Sequence, residues 1–134
     1  MAGYTEIQIG GQKVGLQFSV SALQLIYEKF PDCGSKIEPE LIMQLQKNAY
    51  ILFCGYRTNC VANFQAVEIG FKEFFLYVED LDNRAELMIA MEIYNQSLIT
   101  KLKDTVEDEK KKRRSLNGKK SNPSVSEKGK TITV

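Results

Sequence analysis

Up to Phe18 the apolar residues of this chain recur at every second position, and from Leu23 onward they recur at intervals of three and four. The two periods belong to strands and to helices, so the switch between them divides the chain before composition is considered. Tyr4 to Ile9 alternates as YTEIQI, Gly10-Gly11 interrupts, and Gln12 to Phe18 alternates again with Val14, Leu16 and Phe18 on one face. That arrangement predicts a β-hairpin. A lone two-stranded hairpin is marginal in water, so its apolar face must lie on the helices that follow.

Four helical segments are predicted. Ser19 or Ser21 can cap a short first helix with Leu23, Ile26, Tyr27 and Phe30 at helical spacing, ending near Lys29 ahead of Pro31 and Gly34. Pro39 suits the first turn of the second helix, where Glu38 and Glu40 favour the positive end of the dipole. Its stripe runs Leu41, Leu45, Ala49, Leu52 and Tyr56, flanked by Ile42 and Phe53. Gly55 interrupts that stripe at a cost of about 1 kcal/mol relative to Ala, so it marks either close packing or the approach of the helix end. The pattern weakens from Thr58 to Gln65. A third segment, Val67 to Glu79, gathers Phe71, Phe74, Phe75 and Val78, and Asp80-Leu81-Asp82-Asn83 reads as a turn and cap. The last helix repeats at Leu87, Met91, Tyr94, Leu98, Leu102 and Val106, then loses its apolar face in EDEKKKRRS. The expected fold is mostly α, of the α+β class: a small N-terminal hairpin packed on a bundle of about four helices.

A length of 134 residues with 43 % hydrophobic and 26 % charged suits one folded domain. The formal net charge of +1 hides two unlike parts. Residues 1–109 hold nine basic and sixteen acidic residues, a balance of −7, and are expected to form the domain. Residues 110–134 hold nine basic residues and Glu127, a balance of +8. From Leu116 onward Gly, Ser, Asn, Pro and Lys dominate without periodicity, so a flexible basic tail is expected there.

The residue types exclude most hydrolytic constellations. There is no histidine, hence no common general base near neutral pH and no common transition-metal ligand. Cys33, Cys54 and Cys60 are odd in number and lack CxxC spacing, which suits reduced thiols; Cys54 and Cys60 read as core residues. The acidic turn Glu79, Asp80, Asp82, Glu86 lacks the spacing of an EF-hand loop. Gly10 to Gly15 lacks Walker spacing and is better explained by the hairpin. No enzyme, cofactor or metal is expected. The longest apolar runs fall far short of a membrane span and the N-terminus has no secretory pattern, so the cytoplasm is the expected compartment. The Asn95-Gln96-Ser97 sequon sits inside a helical pattern and is discounted.

What remains is protein binding. Large apolar residues cover more than one face of the third and fourth helices, which makes Phe71, Phe74, Phe75, Met88, Met91 and Tyr94 the candidate partner surface. Lys110, Lys111, Lys112, Arg113 and Arg114 form an electrostatic tail suited to an acidic protein, including a second copy of this acidic domain. Nucleic-acid phosphates are an alternative target, though the tail has no aromatic to stack on bases.

The order of features also carries a resemblance. The start GGQKVGLQF, the helix SALQLIYEKF, the stretch AYILFCGYRTNC and the segment FKEFFLYVED resemble the tail assembly chaperones of long-tailed bacteriophages and prophages, over roughly residues 4–100. The resemblance implies a catalytically empty protein of the bacterial host cytoplasm, needed while the tail is built. Such chaperones coat the helical tape-measure protein and recruit tail-tube subunits, often through a C-terminal extension made by frameshifting. A structural tail subunit and a nucleic-acid-associated regulator are the competing expectations.

Overall fold

The structure, a computed structural model, describes residues 3–101. Two strands, β1 (Tyr4–Ile9) and β2 (Gln12–Gln17), pair antiparallel with Ile7 opposite Val14. Gly10 and Gly11 join them with φ of 60° and 77°, the two positive angles that a two-residue hairpin turn needs. Four helices follow: α1 (Val20–Lys29), α2 (Leu41–Ala62), α3 (Phe71–Glu79) and α4, which starts at residue 84 and continues through residue 101. A short 3₁₀ turn, Leu81–Asn83, leads into α4, with Asp80 accepting a hydrogen bond from the Asp82 N–H at 3.0 Å. Residues up to 98 belong to one compact unit. The expected basic tail, residues 110–134, lies outside the described residues.

α2 is the central element because three others pack on it: β2, α1 and α3. The hairpin lays Ile7, Val14 and Leu16 onto the core, and Phe18 just after β2 joins them. Phe18 decides the role of Gly55. A Cβ at position 55 would stand 2.7 Å from the Phe18 ring, so the glycine marks close packing and the helix runs on to Ala62. On its other side the Phe18 ring meets Tyr94 of α4 edge-on, centroids 5.3 Å apart.

Three details differ from the sequence expectations. Pro39 lies just outside α2, whose N-cap is Glu40. Of the expected stripe, Ala49, Leu52 and Tyr56 are buried, joined by Ile51, Cys54 and Cys60, whereas Leu41 and the flanking Ile42 are exposed at the helix start. α3 begins at Phe71 and not at Val67: Gly70 caps it with extended backbone (φ −90°, ψ 173°), and before it the Tyr56 hydroxyl accepts the backbone N–H groups of Glu68 and Ile69 at 2.9 and 3.1 Å. Those bonds tie the preceding segment to α2.

Candidate partner-binding surfaces

The six residues expected to form one surface separate into two groups. Phe74 and Tyr94 are fully buried, so they belong to the core and present nothing to a partner. Phe74 packs against Phe53 and Tyr56 of α2, with centroids 5.6 and 5.4 Å away. Tyr94 donates its hydroxyl proton to the Cys33 carbonyl. Phe75 and Met91 are half-buried against the same core. Phe71 sits at the edge, its ring 6.2 Å from that of Phe53. Only Met88 stands well clear, at 64 % exposure, and Ile89 beside it is 61 % exposed. With exposed Leu81 and Ala85 these two make an outward stripe at helical spacing along the start of α4. Periodicity found that α3 and α4 carry too many apolar residues for one face; it did not separate the inner aromatics from the outer aliphatics.

Two further exposed apolar groups were not legible as sites. Ile37, Leu41, Ile42 and Met43 cluster in sequence around the start of α2. Phe64, just past the end of α2, is 98 % exposed and has a φ of 55°. Its one sequence signal is an Asn-Phe pair where the helical pattern fades. Beside it, Ser19, Val20, Gln24, Arg57, Thr58 and Val61 line an open groove of about 490 Å³ between the start of α1 and the end of α2. The Thr58 hydroxyl there is buried without a hydrogen-bond partner.

The acidic turn is occupied by structural work. Glu86 accepts the Gln8 N–H at 3.0 Å and the Tyr77 hydroxyl at 2.7 Å, joining hairpin, α3 and α4. Burial first, then the nearby Glu86 carboxylate, push the Tyr77 hydroxyl far above its ordinary pKa. Among the described residues no group of three or more His, Cys, Asp or Glu side chains is placed to hold a metal. The thiols are all free, and Cys54 is raised to about 11 by burial, against the opposing pull of Tyr50, Arg57 and Lys29. A thiol held so far from ionisation is a poor nucleophile.

The polar feature that the sequence concealed is Lys47. Its side chain is 1 % exposed, yet its ammonium reaches Glu38 at 2.7 Å, Asp32 at 3.3 Å and the Lys36 carbonyl at 2.8 Å. Burial pulls its pKa down, but the two carboxylates outweigh that and leave it above the ordinary value. Asp32 is lowered chiefly by the Gly34 N–H, and further by Lys47 and the Lys36 N–H, against a desolvation that acts the other way. This clamp shapes the loop between α1 and α2.

No protein-family model, curated protein or solved structure matches the chain. No described helix is long and apolar enough to cross a membrane.

Proposed function

We propose that this protein is a tail assembly chaperone that binds a tape-measure-like helical partner in the host cytoplasm and acts without catalysis. The observation that carries the reading is the outward stripe Leu81, Ala85, Met88 and Ile89 on a helix whose opposite side, through Ala90 and Tyr94, is core. A helix apolar on both sides is completed by a partner, and an amphipathic helix offers the matching strip. Met88 supports tolerance of varied partners because its side chain repacks easily. The sequence resemblance supplies the biological setting, and recruitment of tail-tube subunits follows from it.

The test is co-expression with a tape-measure protein of a long-tailed phage. Wild type should raise the soluble fraction of that protein. Met88→Asp combined with Ile89→Asp changes only outer positions, so it should keep the helical circular dichroism and lose the rescue. Failure of the wild type to rescue overturns the chaperone reading, and equal rescue by the variant overturns this surface.

A further inference from the structure

Phe64 is a bulky residue in the one backbone region that L side chains rarely adopt, with φ at 55°. It occupies the position where a Schellman motif ends α2. The Gln65 N–H bonds the Cys60 carbonyl at 2.8 Å and the Phe64 N–H bonds the Val61 carbonyl at 3.2 Å. Glycine is the usual residue there because it bears no Cβ penalty. The backbone is held on both sides, by these bonds before it and by the Tyr56 hydroxyl on Glu68 and Ile69 after it. The ring itself packs on nothing, at 98 % exposure. Both the strain and the exposure oppose folding of the single chain, and a rigidly presented aromatic is the cheapest kind of binding anchor.

We propose that Phe64 is a self-association plug that enters the groove between α1 and α2 of a second copy, whose own Phe64 enters the first. Plug and groove lie together at the C-terminal end of α2. A two-fold axis through that end therefore makes both insertions at once and closes the assembly as a dimer.

Charge admits a second copy as the occupant, Arg57 being the one charged residue that lines the groove. Residues 1–109 are acidic overall, but no Asp or Glu occurs from Ile7 to Tyr27 or from Leu41 to Val67, the segments that supply the groove and the plug. Two copies can thus meet here without opposing carboxylates from those segments. Area agrees as well. Two aromatic rings at roughly 200 Å² each, with Val20 and Val61 from both copies, bury on the order of 1,000 Å² in total, the range of a transient dimer. The inference does not rest on the chaperone reading.

The experiment is sedimentation velocity of the full chain at about 0.5 M salt, where interactions between exposed charges are screened within a few ångströms. Wild type should pass from monomer to dimer with rising concentration. Each buried ring contributes roughly a 10- to 100-fold gain in affinity, so Phe64→Gly should weaken the dimer by about 100-fold or more. At dilutions where both are monomeric, Phe64→Gly should also melt higher than wild type, by about 4 °C, because the backbone strain is relieved. A merely structural Phe64 would move melting the other way. Val20→Glu spoils the groove at an exposed helix start where an acid is tolerated, and should also give a monomer. A mixture of the two variants retains one intact plug and groove, so it should associate more tightly than either alone. A wild type that stays monomeric throughout, a dimer unaffected by Phe64→Gly, or a mixture no better than its components would each overturn the proposal.

Discussion

Cys33 and Phe64 are the two non-glycine residues of the described chain with positive φ, both at 55°, and their surroundings differ in kind. The loop around Cys33 is tied from every side. Tyr94 holds the Cys33 carbonyl, Asp32 accepts the N–H groups of Gly34 and Lys36 at 3.1 Å each, and buried Lys47 binds Asp32, Glu38 and the Lys36 carbonyl. The strain is offset within the chain. Around Phe64 the main chain is equally fixed, but the side chain gains nothing from the fold. A strained backbone with internal compensation is architecture; one without it points outward.

The comparison can be broken most severely at Lys47. Lys47→Ala leaves the Asp32 and Glu38 carboxylates facing a space without a cation, so stability should fall by about 3 kcal/mol, the low end for breaking a buried pair because both partners keep some solvent contact. Urea denaturation measures it, and a loss below about 1 kcal/mol would mean that the loop is held by other means.

Tyr94→Phe comes next. It removes the donor to the Cys33 carbonyl and should cost about 1–2 kcal/mol at neutral pH. It also bears on pH dependence. Tyr94 and Tyr77 are raised from 10.0 and Lys47 from 10.5 in the folded state, so their contributions are complete below those values and are lost as pH rises beyond them. Asp32 is lowered from 3.8, so its contribution is complete above that value and is lost as pH falls below it. Thermal melts across pH should show a plateau between these limits. The alkaline fall should be shallower in Tyr94→Phe than in wild type, and identical slopes would contradict the assignment.

The smallest effects sharpen the contrast. Phe64→Gly should stabilise the monomer by about 1 kcal/mol, whereas Phe64→Ala keeps the strained backbone and loses only an exposed ring, so it should lie within about 0.5 kcal/mol of wild type. A larger loss in Phe64→Ala, read by urea titration at high dilution, would show that the ring packs on its own chain after all.

The hairpin was legible because Gly10-Gly11 sits between two alternating runs, and the helices because Leu23, Ile26, Leu52 and Tyr94 repeat at helical spacing. The reading failed where one long-range contact outweighed a local pattern. Val67 precedes α3, in a segment tied to Tyr56 through residues twelve and thirteen positions along the chain from it. Lys47 looks like any solvated lysine, since the carboxylates that bury it belong to a loop folded back over α2. Of the candidate surface, Phe74 and Tyr94 were misplaced because periodicity counts apolar residues without saying which side of a helix the rest of the chain covers. Phe64 escaped because the usual signal for a positive angle at a helix end is Gly or Asn, and neither stands at position 64.

The tie through Glu86 has a consequence for the order of events during synthesis. The Gln8 amide that it accepts lies seventy-eight positions earlier in the chain, and Phe18 likewise awaits Tyr94. The hairpin precedes every other described element, yet its partners on α4 are made only after α1, α2 and α3. Closing so distant a loop is entropically slow and leaves Ile7, Val14 and Phe18 uncovered meanwhile. The earliest-made of the described elements is thus sealed only when α4 docks, and the interval before that is when this chain is most open to aggregation and to a helper of its own.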